Sequence, residues 1–399
     1  MLAAHADAGV RPMHWLEKWI GLRNRLIADP RFQRWAASSL LTRFVARRRA
    51  RALFDLCAGF VYSQVLLACV RLHLFEILSE GPRSLKSLAD LLSLTPDAAE
   101  RLLRAAASLD LVRALPGDRY ALADLGASLL GNPSVEAFIE HHSLLYDDLR
   151  DPVALLRGET STKLSGFWPY AKDRPDRIST HLKSPDEENS NGDAGDVAET
   201  SYAAYSALMA RSQALVAQDI LDAYPIAKHR CLLDVGGGEG AFVMAAIARA
   251  PDLSFKLFDL PPVAARARDK LSAKGLSSKV EITGGSFLDN VLPRGADLIT
   301  LVRIVHDHDD ESTLALLRAV YAALSPGGTL LLAEPMAGTR GAEPIGDAYF
   351  GFYLLAMGRG RSRTPAEISK LLKAAKFDQI QEISTRRPML ASVIIAHRV

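Results

Sequence analysis

The sequence predicts an α/β chain: a doubly wound, mostly parallel sheet with an antiparallel last strand, preceded by an all-helical winged-helix domain. Three observations carry that reading. Strand-like and helix-like segments alternate from Arg230 onward, as stacked β-α units require. Residues 232–240 read Leu-Leu-Asp-Val-Gly-Gly-Gly-Glu-Gly, a buried strand running into a glycine turn, and a second strand ends in Asp259 some twenty positions later. Near the end, the runs Phe377 to Thr385 and Met389 to His397 are joined only by Arg386-Arg387-Pro388, a turn so tight that it demands antiparallel pairing.

The chain has 399 residues, 49% of them apolar, enough for two or more domains with sizeable cores. A formal charge of +2 gives no global field that argues for nucleic acid. The charge is uneven, however. Residues 11 to 51 hold Arg11, Lys18, Arg23, Arg25, Arg31, Arg34, Arg43, Arg47, Arg48, Arg49 and Arg51 against only Glu17 and Asp29, with Trp15, Trp19, Phe32, Trp35 and Phe44 interleaved. This basic aromatic arm reads either as a peripheral attachment to anionic lipid or as a helical extension packed on protein. Cys57 and Cys69 fall on one expected helix, about 18 Å apart at helical rise, too far to bridge, and Cys231 is remote. A reducing compartment, the cytoplasm, is expected. Met1 to Pro12 carries Asp7 and no apolar core, so no signal peptide is expected. Leu56 to Val70 is short for a bilayer span and is interrupted by Ser63 and Gln64, so nothing is expected to cross a membrane.

From Ala52 the pattern is helical, with Leu66, Leu67, Val70, Leu74, Ile77 and Leu78 on one stripe, then short helices at Leu85 to Leu92 and Pro96 to Leu109. A hairpin follows at Leu111 to Leu115 and Arg119 to Leu122, which completes a winged-helix pattern. Arg101 and Arg104 are offset by Asp97, Glu100 and Asp110, so the helix lacks the basic face that phosphates require, and no nucleic-acid partner is expected. Ser184 to Asp193 lies in a polar insertion at 173–200, within a linker at 159–200. A helix from Tyr202 to Tyr224 leads into the sheet, whose expected strands are 230–235, 254–259, 280–283, 296–303, 329–333, 377–385 and 389–397.

The glycine turn and Asp259 describe a nucleoside-cofactor site: Gly236, Gly238 and Gly240 permit positive φ and close backbone approach, and Asp259 sits where a carboxylate can accept from ribose hydroxyls. Nicotinamide dinucleotides and S-adenosylmethionine both fit, as does a glycine turn without ligand. An anionic Glu239 inside the turn favours a cationic sulfonium over a pyrophosphate.

Five segments in order resemble the S-adenosylmethionine-dependent O-methyltransferases of the caffeate and acetylserotonin type: 233–238; Phe258 to Pro261; Gly284 to Phe287; Ile304 to Glu311; and Ser325 to Gly328 running on to Ala333-Glu334. That resemblance implies a class I methyltransferase domain at 201–399, a winged-helix dimerisation domain at 52–158, and a homodimer. Within it the chain is similar to bacterial methyltransferases acting on the tertiary hydroxyl of acyclic carotenoids, with His306 to Asp310 and the run Phe352 to Gly358 as pointers. The runner-up is the bacteriochlorophyllide branch, which methylates a tetrapyrrole carbon. Residue by residue, it implies Gly236, Gly238, Asp259, Leu260, Ser286, Phe287 and Arg303 around the cofactor, His306 as proton acceptor with Glu334 to orient it, and Met209, Tyr349, Phe352, Tyr353 and Met357 against a hydrophobic acceptor. Plant members carry an Asp at Ser286, an aromatic at Arg303 and a Glu near Ser362, all absent here.

Two other readings stand beside these. His306 and His308 on one face of an extended segment could chelate a metal, although Asp309 and Asp310 also suit the start of a helix near Glu311. No metal is expected. The helix from Asp347 to Met357, apolar on nearly every face, is either core or the wall of an apolar cavity. A membrane-resident acceptor would place the protein at the inner, photosynthetic membrane as a peripheral enzyme.

Overall fold

A computed structural model describes residues 11–167, 213, 215–289 and 291–399. The chain forms two compact units, Met1–Leu130 and Gly131–Val399. The division falls after Leu130 rather than at 158, so residues 131–158 belong to the unit that holds the large sheet. The expected boundary at 51/52 lies inside one continuous helix, Arg43–Arg71.

In the first unit, helices Arg11–Ala28 and Pro30–Ser38 precede that long helix, and Asp29 caps the second by accepting from the Arg31 and Phe32 amides. The stripe read as running from Leu66 to Leu78 breaks at His73, whose φ of +52° ends one helix before Leu74–Ser79 begins. Leu85–Leu91 and Pro96–Ser108 follow, each started by a hydroxyl cap, Ser84 and Thr95. The unit is not all-helical: strands β2 (Val112–Leu115) and β3 (Arg119–Leu122) form the wing, and β1 (Arg83–Ser84) adds to its edge. Leu74, Leu88, Leu103 and Val112 are among the residues of its core. Arg43–Arg71 is, by length and composition alone, long and apolar enough to cross a bilayer, contrary to expectation. The expected stretch Leu56 to Val70 left out Ala52, Leu53 and Phe54, which lengthen the apolar part of this helix past the single charge of Asp55.

In the second unit seven strands take the order β6-β5-β4-β7-β8-β10-β9. Their ranges are β4 Cys231–Val235, β5 Ser254–Asp259, β6 Val280–Gly284, β7 Leu298–Val302, β8 Thr329–Glu334, β9 Asp378–Ile383 and β10 Ser392–His397. All neighbours pair in parallel except β10, which runs antiparallel to both β8 and β9 as expected, although the strands end earlier and start later than read and are joined by residues 384–391 rather than by a three-residue turn. Side chains alternate between two cores, one on each face: Leu232, Leu257 and Leu331 in one, Leu233, Phe258 and Leu332 in the other. Every residue of β7 and β8 is buried, the mark of strands covered on both faces. The chain reverses direction of sheet growth between β4 and β7, and the crevice outside these carboxyl ends is where open α/β sheets bind ligands.

Candidate active site

At the carboxyl end of β4 the backbone turns on Gly236, φ +72°, whose amide donates to the Phe258 carbonyl at 2.8 Å. A Cβ there would stand 2.4 Å from the Ile304 side chain, so only glycine lets the turn lie against the next segment. Gly238, φ +57°, instead faces open space. Asp259, at the end of β5, is buried, and its carboxylate accepts from the Gly238 amide and from the Leu260 amide, each at 2.7 Å. It thus ties the glycine turn to the neighbouring strand, a structural role not assigned from sequence. The Gly285 amide donates to the Asp259 carbonyl at 2.9 Å, bringing Ser286 and Phe287 to the same edge. The Ser286 hydroxyl accepts from the Leu288 amide at 3.2 Å, and Phe287 packs edge-on against His308.

Glu239 corrects one step of the sequence argument. Its carboxylate is held by Lys270 at 2.9 Å and faces Arg266 at 3.5 Å, both on helix Pro261–Ala273. The charge is neutralised there, so Glu239 does not discriminate between ligands by repulsion. A different acid stands behind the turn. Asp234 is buried, and burial lifts its carboxyl to about 7 against the opposing hydrogen bond from Thr300, with the charge of Asp259 adding to the rise. Open space at Gly238, a buried strand-end carboxylate and an aromatic beside it fit a nucleoside-bearing methyl donor.

His306 lies in a single 3-10 turn, Val305–Asp307, rather than on an extended strand end. That geometry removes the extended pairing with His308 on which the metal reading rested: His306 turns toward carboxylates, and His308 toward Phe287. The imidazole is buried, with Nε2 3.1 Å from the Asp307 carboxylate and Nδ1 3.7 Å from Glu334. Glu334, at the end of β8, does its orienting through the backbone: one oxygen accepts from the Val305 amide at 2.5 Å and the His306 amide at 3.2 Å. Burial disfavours a charged imidazole, but Asp307 and Glu334 outweigh it and raise His306 to about 9. Asp307 and Glu334 are thus the carboxylates that face the imidazole. Arg303, two residues before this turn, has φ +59°, a backbone conformation a non-glycine residue adopts only under constraint, and its N–H donates a hydrogen bond to the Ala333 carbonyl at 2.8 Å.

The turn is clamped from outside by Arg363, which is buried. Its guanidinium donates to the Val305 carbonyl at 2.9 Å, the His308 carbonyl at 2.8 Å and Asp310 at 2.9 Å. Asp309 is the helix cap, accepting from the Ser312 amide, which leaves Asp310 as the partner of Arg361 and Arg363. Gly360, φ +78°, passes so close that a Cβ would stand 2.1 Å from the His306 carbonyl.

The expected single helix from Asp347 to Met357 opens as a π-turn, Pro344–Tyr349, and continues as Phe350–Ala356 with Met357 as its C-cap. π-turns inside helices recur at functional sites. Tyr349 and Tyr353 stack at 5.8 Å, and their hydroxyls meet adjacent histidines of helix Pro133–Asp148: Tyr349 with His142 at 3.0 Å and Tyr353 with His141 at 2.9 Å. Burial, helped by His142, drops His141 to about 4, and burial likewise lowers His142, so both are neutral. Burial raises both tyrosines, opposed by the nearby charge of Arg303. Phe350 approaches His306 with ring centroids 6.0 Å apart, joining these aromatics to the His306 turn. Phe352 packs partly buried on the cluster of Leu145, Leu155 and Leu164, and Met357, 2% exposed, is part of that core. Met209 lies outside the described residues.

Comparison with known proteins decides between the cofactors that the turn alone left open. The family model of an O-methyltransferase domain matches residues 192–378, and that of an O-methyltransferase dimerisation domain matches residues 54–132. The chain is 41% identical to demethylspheroidene O-methyltransferase of Cereibacter sphaeroides over 94% of each chain. It is 42% identical to the protein of that name from Rhodobacter capsulatus, over 89% of this chain and 84% of the relative. The chain belongs to the S-adenosylmethionine-dependent O-methyltransferases. The solved structure of human N-acetylserotonin methyltransferase in complex with SAM shares the fold, with a TM-score of 0.66 at 23% identity over 88% of this chain and 97% of that one.

In this O-methyltransferase the structure brings Gly236, Gly238, Asp259, Leu260, Ser286 and Phe287 to one edge, and His306 with Glu334 to the adjoining turn. It brings Tyr349 and Tyr353 together and leaves Met357 in the core. Sequence reasoning missed Asp307 as the partner of His306, the Arg363–Asp310 clamp, and His141 and His142. The pair His141-His142 on a helix with Leu144 and Leu145 was the available signal, since adjacent imidazoles on an apolar helix require buried partners.

Proposed function

We propose that this methyltransferase acts on a hydroxyl of a hydrophobic small molecule, the tertiary 1-hydroxyl of an acyclic carotenoid, as a homodimer. The observation that carries this reading is the identity to demethylspheroidene O-methyltransferase across nearly the whole of both chains. The tyrosine-lined, aromatic helix beside His306 supports it, since a long apolar acceptor needs such a wall. When bound, S-adenosylmethionine supplies an electrophilic methyl group on a sulfonium. The chain's own residues do the rest. Gly236, Gly238 and Asp259 seat the donor; Phe350 and Tyr349 confine the acceptor; and His306, set by Asp307 and Glu334, takes the hydroxyl proton. An aliphatic alcohol is far less acidic than imidazolium, so the proton leaves late in, or after, methyl transfer. Placing the nucleophile at near-attack distance in a water-excluding site carries most of the catalysis.

The test is incubation of the purified protein with methyl-labelled S-adenosylmethionine and extracts holding hydroxylated carotenoids and tetrapyrrole precursors. Label in a carotenoid methyl ether supports the reading. Label on a tetrapyrrole carbon, or none in any carotenoid, overturns it. We place the enzyme in the cytoplasm, peripheral to the membrane that would hold such an acceptor.

A further inference from the structure

The first two helices lie ahead of the dimerisation match, which starts at residue 54. On Arg11–Ala28 large apolar side chains recur at helical spacing as Trp15, Trp19, Leu22 and Leu26, and they are 70%, 49%, 68% and 51% exposed. Such a contiguous uncovered stripe marks an interaction surface rather than ordinary scatter. Tryptophan in particular favours a water–lipid boundary, where its ring is buried and its N–H stays wet.

Beside the stripe lies a cleft of about 620 Å³ between the first and second helices, lined by Arg25, Ala28, Asp29, Pro30, Arg31 and Arg34. Its one acid, Asp29, accepts from the Arg31 amide at 2.6 Å and the Phe32 amide at 3.4 Å as the helix cap. Among the described residues no carboxylate pairs with Arg25, Arg31 or Arg34. Three guanidinium groups around one opening suit a phosphate diester, and the surrounding excess of arginine is complementary to an anionic leaflet.

We propose that residues 11–38 bind the surface of an anionic phospholipid bilayer, with Trp15, Trp19, Leu22 and Leu26 in the headgroup boundary and Arg25, Arg31 and Arg34 on lipid phosphate. The attachment is peripheral: the helix Arg11–Ala28 spans about 27 Å at 1.5 Å per residue, but its charged face requires it to lie in the interface. This inference goes beyond the proposed acceptor and does not depend on it.

The full-length protein is mixed with vesicles of phosphatidylcholine alone, or of phosphatidylcholine with phosphatidylglycerol, and sedimented. Binding to the anionic vesicles, weak binding to the neutral ones and release by high salt are expected. The double variant Trp15→Ala, Trp19→Ala should lower the bound fraction at least about tenfold, and Arg25→Gln, Arg31→Gln, Arg34→Gln should remove the preference for anionic lipid. Both should leave the dimer mass by light scattering and the affinity for S-adenosylmethionine unchanged. Equal sedimentation of wild type and variants overturns the proposal, as does protein that only detergent extracts. So does a variant that falls apart into monomers, because the stripe would then cover a second copy of the chain. Vesicle binding is read without turnover, so its failure leaves the methylation reading standing.

Discussion

Gly238 and Asp259 meet across 21 residues of chain, whereas His142 and Tyr349 meet across 207. The first contact is made by consecutive β-α units, so the cofactor edge is a local consequence of two strand ends and the turn between them. The second depends on a helix ahead of the sheet finding a π-turn near its end, and nothing in either segment alone specifies the partner. The cofactor edge is also held by backbone amides on a carboxylate, while the acceptor wall is held by neutral side chains on each other. A site that serves one donor is built into the fold; a site that chooses an acceptor is built from side chains that can be exchanged without disturbing it.

The sharpest way to break this comparison is to separate turnover from donor binding. His306→Ala should lower kcat by about 10²- to 10⁴-fold, the usual contribution of a positioned proton acceptor, while calorimetry still registers S-adenosylmethionine. Retained turnover would show the imidazole to be structural. Next comes Asp259→Ala, which removes the acceptor of two amides and the group proposed to hold the ribose of the donor. Each charge-assisted bond carries about 1.5–3 kcal/mol, so donor affinity should fall at least about tenfold with a smaller change in kcat. An unchanged dissociation constant would move the donor elsewhere.

Arg363→Met tests whether the catalytic turn needs its clamp. It strips the buried Val305 carbonyl and the half-buried His308 carbonyl of a charged donor and should cost about 2 kcal/mol in denaturant stability, with a loss of kcat but little change in donor affinity. The smallest effect belongs to the acceptor wall. Tyr349→Phe leaves the ring and removes the hydroxyl that His142 meets, so KM for the acceptor should rise severalfold, on the order of 1 kcal/mol, with donor binding untouched. A drop in donor affinity there would erase the distinction between the two regions.

Much of the fold was legible because it is written in short-range pattern. The Leu232 to Gly240 run and the acidic end of β5 fix their own geometry, and the short separation of the last two strands gave their antiparallel pairing, although the connection is residues 384–391 and not the three-residue turn expected. The catalytic turn was only half legible. His306 and Glu334 stood out, but Asp307 reaches the imidazole only because the backbone makes a 3-10 turn, where the reading had an extended strand end. Glu239 misled because its charge was read without Lys270 and Arg266, thirty-one and twenty-seven residues away on the next helix. Arg363 and the two histidines act through contacts more than fifty residues distant, which periodicity does not encode.

The pH dependence of kcat tests the account most directly. His306 is raised to about 9, so at neutral pH most of it is imidazolium and only the minor neutral form accepts a proton. Being raised, it also stabilises the fold fully below about pH 6.5 and loses that contribution as pH climbs through about 9. Turnover at saturating donor and acceptor should climb between pH 7 and about 9 and level off above, and His306→Ala should abolish that limb. A flat profile across this range in the wild type, or the same rising limb in the variant, would contradict the assignment of His306 as the proton acceptor.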